Sequence, residues 1–388
     1  MSQSQTDGAR STTRRNFLKL AGTMATGAVV SEHSTEIASA LQQATDGPKE
    51  VVWLQGQCCS GCTISLLQGE YPSLEQTLSE FRLDVTFHPT IMAEWGDDAI
   101  DSMSKDPDVL IVEGSIPTEM TQAATVGTDE NGNPKPVYDW VQELAPNAEY
   151  VIAVGNCASF GGWPAAENKT QPNGGPKNVT GARGLQYWDH GRKGVFGPDW
   201  TAGSGLPVVN IGGCPPQPDY ILLTLASILN GHVPELDDKN RPLAFYEPNI
   251  HDQCSLRGEF DRGEFAEHPG DDGCLYKVGC AGPYTWCDDS KRLWNGGTSV
   301  CRDVGAPCIG CMEPAFWDRF SPFYEPVEQQ NDFGVDVETA GLLAMAGTVA
   351  GVGAHVARKA MGYGSEDGEE QVAEATTETS GDDSTEDS

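Results

Sequence analysis

Twelve cysteines lie along the 388 residues in groups whose spacing suits metal or cluster ligation. The first group opens with Cys59-Ser60-Gly61-Cys62, a CxxC that one turn can close on a single centre. Cys157, within Gly155-Asn156-Cys157-Ala158, and Cys214, within Gly212-Gly213-Cys214-Pro215-Pro216, stand alone farther along. Four thiolates in this pattern suit an iron–sulfur cluster or a tetrahedral zinc. Structural zinc more often uses two paired knuckles, and the neighbouring glycines leave room and backbone N–H groups for a bulky cuboidal cluster, so the cluster is favoured over zinc.

A second field runs from His251-Asp252-Gln253-Cys254 through Cys274 and Cys280 to Cys287, Cys301 and Cys308-Ile309-Gly310-Cys311. His251 differs from the other six histidines in lying three residues before a cysteine, where a turn can aim both side chains at one site. Taking His251, Cys254, Cys274 and Cys280 as one set leaves Cys287, Cys301, Cys308 and Cys311 as another. Cys58 is left over and reads best as a small buried residue.

Such donors must be carried by a framework. Four short apolar runs, Val51–Leu54, Val109–Val112, Tyr150–Val154 and Pro207–Ile211, each stop in a glycine-containing loop, and continuous apolar runs of this length read as buried parallel strands. Helices are expected between them at Thr63–Phe81, Pro136–Ala145 and Asp219–Asn230. The fold class that follows is α/β, a flavodoxin-like doubly wound parallel sheet over residues 48–232, with ligands bound beyond the carboxyl ends of its strands. A loop-rich cluster-binding domain follows over 233–330.

The termini read differently. Arg14-Arg15-Asn16-Phe17-Leu18-Lys19, a modest apolar run and Ala38-Ser39-Ala40 make residues 1–40 a twin-arginine signal peptide, a route that exports folded cargo. Ala340–Ala357 carries no acid or base apart from His355 and is followed by Arg358-Lys359, so 337–359 is expected to be a membrane-anchor helix, its glycines admitting a close partner helix. Residues 364–388 read as a disordered acidic tail. That tail holds only ten of the 57 acidic residues, so the net charge of −33 marks the whole surface as acidic, in the manner of a protein hydrated in concentrated salt. The same charge disfavours nucleic acid as a partner.

Together with Glu113-Gly114-Ser115-Ile116-Pro117 and the runs from Cys274 to Pro283 and from Pro307 to Asp318, the motifs above resemble the small subunit of nickel–iron hydrogenases, in order from about Val51 to Phe323. The resemblance implies that Cys59, Cys62, Cys157 and Cys214 hold a proximal cluster, Cys287, Cys301, Cys308 and Cys311 a medial one, and His251, Cys254, Cys274 and Cys280 a distal one. It implies three 4Fe-4S clusters, with a 3Fe-4S medial cluster instead if Cys301 is not a ligand. It further implies a catalytic centre on a separate large subunit, while the twin-arginine segment and the expected anchor helix point to an exported uptake hydrogenase on the outer face of the cell membrane with a cytochrome b-like membrane partner. Oxygen-tolerant family members with a modified proximal cluster carry cysteines where Gly61 and Gly162 stand here, so an ordinary proximal cubane is expected. Glu113 is a candidate for shaping the proximal site or for packing at the strand end. The rival readings are a complex I-like iron–sulfur subunit, which lacks the second cysteine field, and a secreted zinc-stapled binding protein.

Overall fold

The computed structural model describes residues 48–70, 72–167, 178–188, 191–326 and 337–360. Five strands, β1 (Lys49–Gln55), β2 (Leu83–Phe87), β3 (Val109–Glu113), β4 (Tyr150–Val154) and β5 (Val209–Ile211), form one sheet in the order β2-β1-β3-β4-β5. Every neighbouring pair is parallel. This is the flavodoxin-like order, and it confirms the α/β doubly wound class.

The strands are apolar along their whole length because both faces are covered. Val52, Leu54, Leu110, Val112, Val151 and Ala153 pack on one side against Trp140, Val141 and Leu144 of a helix at Val137–Leu144. Val51, Trp53, Val109, Ile111, Ile152 and Val154 face the other way, toward the helix Pro218–Leu229. That second face also takes Phe245, Tyr246, Ile250, Cys287 and Met312, so residues on both sides of position 232 share one core. The chain divides into two compact units, one ending at Val327 and one beginning at Glu328. Beyond the helix Pro218–Leu229 the first unit is built of short pieces, such as Leu243–Tyr246, Arg257–Arg262 and the single turns Leu275–Val278 and Cys301–Val304.

Two elements depart from expectation. The helix expected at Thr63–Phe81 is broken into Gly61–Leu66 and Leu74–Glu80, the second started by a capping box in which Ser73 and Gln76 exchange hydrogen bonds. Gly69 lies in the break, where a Cβ would stand 2.4 Å from Leu222 Cδ1. β2 is an addition to the expected strands, because its sequence alternates, Leu83, Val85 and Phe87 with Asp84 and Thr86, as suits an edge strand.

The second unit contains a helix at Val337–Ala360. Its existence matches the expectation for 337–359, but the anchor does not: among the described residues no helix is long and apolar enough to cross a membrane. With 24 residues it has the length; its Ala and Gly content leaves it short of the apolarity. The signal peptide expected at 1–40 and the acidic tail expected at 364–388 lie outside the described residues.

Candidate metal centres

The loops after β1, β3, β4 and β5 meet at the carboxyl edge of the sheet. Cys59 and Cys62 follow β1, Cys157 opens the helix Gly155–Phe160 after β4, and Cys214 follows β5. The four are close enough that the charges of Cys157, Cys214 and Cys59 all bear on Cys62. Burial pushes the Cys62 thiol well above its ordinary range and Cys157 to about 12. An isolated thiolate is therefore disfavoured here, and a positive centre bound between them would restore it.

Glycine is required beside these sulfurs. Gly155 has φ +84 and a Cβ there would lie 2.4 Å from Cys62 Sγ; Gly162 has φ +60 and its Cβ would lie 2.3 Å from Cys157 Sγ. A side chain at either position would intrude where a bulky group must sit. Glu113, 1% exposed, underlies the same loops from the end of β3. Its carboxylate accepts from the backbone N–H groups of Cys62 (3.1 Å) and Thr63 (3.3 Å), from Thr63 Oγ1 (2.5 Å), from Gln55 Nε2 (3.0 Å) and from Trp53 Nε1 (3.1 Å). It thus holds the CxxC turn from beneath. Cys58 is half-buried beside this set.

The second field forms two further neighbourhoods. Cys287, Cys308 and Cys311 are mutually close, burial raising all three, Cys308 to about 12, and Cys301 adds its charge to Cys308 and Cys311. Cys254, Cys274 and Cys280 likewise influence one another, and a Cβ on Gly282 would touch both Cys280 Sγ (3.2 Å) and His251 Cβ (3.8 Å). A small cavity of about 40 Å³ is lined by His251, Cys254, Cys274, Cys280, Cys301 and Cys308. Backbone N–H groups point at sulfur here too, Gly282 to Cys280 and Gly310 to Cys308, each at 3.4 Å. Such bonds stabilise a sulfur carrying negative charge.

The neighbourhoods are linked in a row. Cys214 bears on Cys311, and Cys280 bears on Cys308. Among the described residues no three His, Cys, Asp or Glu side chains are gathered tightly enough for one metal ion. A single tetrahedral zinc needs that tight set, whereas a cuboidal cluster holds its ligands farther apart. The donor chemistry and the cradle of glycines therefore fit iron–sulfur clusters.

Sequence reasoning did not single out the polar residues that brace these loops. Arg241, 2% exposed, is paired with Asp237 at 2.8 Å, lies 3.4 Å from Glu313, and donates to Met312 O. The Tyr220 hydroxyl lies 2.6 Å from Asp288 Oδ1 and 2.8 Å from Asp289 Oδ1, its one proton shared between them, and Trp294 donates to Asp289. Burial raises Asp289 to about 6. Of these polar residues only Glu313 lies within a motif the sequence showed, the Pro307–Asp318 run, and there it was given no role.

Comparison with known proteins adds the following. Residues 246–324 match the family model for the C-terminal part of the NiFe/NiFeSe hydrogenase small subunit, and residues 59–228 match that described as NADH ubiquinone oxidoreductase, 20 Kd subunit. The periplasmic [NiFeSe] hydrogenase small subunit of Desulfomicrobium baculatum is 36% identical over 337 residues, covering 81% of this chain and 99% of the relative. The quinone-reactive Ni/Fe-hydrogenase small chain of Wolinella succinogenes is 34% identical over 363 residues, covering 88% and 94%. A structure of the Desulfomicrobium baculatum [NiFeSe]-hydrogenase superposes with a TM-score of 0.61 at 36% identity, covering 72% of this chain and 99% of that one. The actinobacterial-type NiFe-hydrogenase of Ralstonia eutropha gives 0.63 at 30% identity, covering 79% and 90%.

Proposed function

Because the chain belongs to the nickel–iron hydrogenase small-subunit family, we propose that it is the electron-transfer subunit of an exported uptake hydrogenase. Its partner is the nickel–iron large subunit, which carries the catalytic centre. Electrons from H2 oxidation there pass through three 4Fe-4S clusters of this chain to an acceptor, for which a cytochrome b-like membrane protein is our choice because one relative is named quinone-reactive. The Arg14-Arg15 segment and the periplasmic relatives support export, and the charge of −33 suits a surface working in concentrated salt.

The observation that carries this reading is that the three donor neighbourhoods are joined one to the next, the first to the second by Asn156 Nδ2 to Cys311 O at 2.7 Å and the second to the third by the Ala281 N–H to Cys308 O at 2.7 Å. Cys59, Cys62, Cys157 and Cys214 would hold the proximal cluster, Cys287, Cys301, Cys308 and Cys311 the medial, and His251, Cys254, Cys274 and Cys280 the distal. Iron–sulfur clusters, when bound, supply one-electron transfer at potentials set by charge, hydrogen bonding and exposure. The chain's own residues do the rest: Glu113 holds the CxxC turn, and Gly155 and Gly162 keep side chains out of the cradle. A complex I-like subunit accounts for 59–228 only, whereas 246–324 match the hydrogenase model.

Electron paramagnetic resonance of the oxidised heterodimer is the test. With four thiolates around the medial site no strong three-iron signal is expected, and one should arise in Cys301→Pro. A strong three-iron signal in the intact enzyme refutes the four-cysteine medial site, and a colourless protein carrying zinc refutes the electron-transfer role.

A further inference from the structure

Asn156 stands between Gly155 and Cys157 and is 1% exposed. Its backbone N–H donates to Gly213 O at 2.8 Å, and its Oδ1 accepts the Gly213 N–H at 2.9 Å. The residues preceding Cys157 and Cys214 are thereby clasped to each other. Its Nδ2 reaches the other way, donating to Cys311 O at 2.7 Å and to Glu313 O at 3.2 Å. A primary amide offers two N–H donors and one carbonyl, and here each has a partner. Turning the amide over would set oxygen against two carbonyls and NH2 against an N–H, so only this orientation is satisfied.

The approach is tight. A Cβ on Gly212 would lie 3.0 Å from Asn156 Oδ1 and 3.4 Å from Met312 O. Glu313 extends the brace, its Oε1 accepting the N–H of Trp286, next to Cys287, at 3.0 Å. Arg241 closes it by donating to Met312 O at 3.0 Å. One side chain thus bonds the loops of Cys157 and Cys214 to the loop of Cys311.

We propose that Asn156 is a positioning residue that sets the separation of the Cys157/Cys214 pair from Cys311, and with it the rate of electron passage from the proximal to the medial site. This rests on the reading of both sets as cluster ligands. The step moves one electron from a reduced proximal site to an oxidised medial site, with no bond or proton exchanged. Transfer between buried centres falls steeply with distance, so a displaced Cys311 loop slows turnover while H2 affinity, a property of the partner subunit, stays as it was.

The test compares the heterodimer carrying Asn156→Asp or Asn156→Ser with wild type. Asn156→Asp keeps the size and the acceptor for Gly213 but sets a carboxylate oxygen against the carbonyls of Cys311 and Glu313. Asn156→Ser is small enough to be tolerated in the same space. Ser159→Ala is the control, since Ser159 Oγ donates only to Ala153 O within its own chain segment. The expected result in at least one Asn156 variant is retained iron, altered spin–spin broadening between the reduced proximal and medial signals, and a fall of about tenfold in kcat for H2-driven dye reduction. KM for H2 should be unchanged, and Ser159→Ala should match wild type throughout. Wild-type broadening and kcat in both Asn156 variants would overturn the proposal, and so would loss of iron from both, which would make Asn156 a folding residue. Failure of the underlying reading looks different, because wild type itself would then lack two interacting cluster signals.

Discussion

The thiols of Cys62 and Cys287 are both pushed far above their ordinary range by burial, yet they stand on different ground. Cys62 belongs to loops fixed by a five-stranded parallel sheet covered on both faces. Cys287 belongs to turns and helices of a few residues, held by side-chain bonds such as Tyr220 to Asp288 and Asp289 and Glu313 to Trp286 N–H. The first region sets its loops by sheet register and fastens them with the Glu113 and Asn156 side chains. The second has little regular backbone to do so, and the clusters proposed for it would be the natural cross-links.

Iron removal should separate the two regions most. In anaerobically chelated protein, hydrogen exchange at 251–311 is expected to rise by about 10²-fold or more, while the backbone of β1 and β3 stays protected. Equal loss of protection in both would break the comparison. The next largest effect concerns the brace itself. Arg241→Leu leaves Glu313 and Asp237 without their buried partner, an expected loss of about 3 kcal/mol measurable by denaturant unfolding.

Glycine substitutions sharpen the contrast further. Gly155→Ala meets both positive φ and Cys62 Sγ and should cost about 2 kcal/mol together with proximal iron, read by unfolding and iron analysis. Gly305→Ala, with φ +78 but nothing within 4 Å, should cost about 1 kcal/mol and leave iron content unchanged.

The smallest effect is a slope. His88, stacked on Trp53 under the sheet edge with Nε2 unpartnered, has its pKa lowered to about 4 by burial. An unfolded histidine takes up its proton near pH 6.5. Between these values the unfolded chain binds more protons, so this group's contribution to stability is present above about pH 6.5 and is lost as pH falls toward 4. His88→Phe should therefore lose stability less steeply than wild type across that window in denaturation midpoints, and parallel slopes would dispose of the assignment.

Much of this molecule could be read from its residues in order. Val51–Leu54, Val109–Val112 and Tyr150–Val154 announce buried parallel strands because burial on both faces demands unbroken apolar sequence. Cys59 and Cys62, and Cys308 and Cys311, stand out as candidate donors by their CxxC spacing, while the other candidates were grouped through the family resemblance. β2 escaped because an edge strand alternates and is short, whereas the helix break is marked locally by Gly69, Pro72 and the Ser73–Gln76 capping box and was passed over.

The sequence by itself therefore determined the chemistry available, the sheet-forming runs and the acidity of the surface, all properties of composition and local period. Tertiary structure alone decided how the loops that carry the candidate donors pack against one another and which uncharged or paired side chains hold them there. Asn156 and Cys311 are 155 residues apart, as are no two members of any local motif, and their 2.7 Å hydrogen bond exists only because β4 and β5 bring their loops to the edge where the later turns pack. A contact of that kind is satisfied by geometry from distant segments, and no periodicity in the intervening chain encodes it.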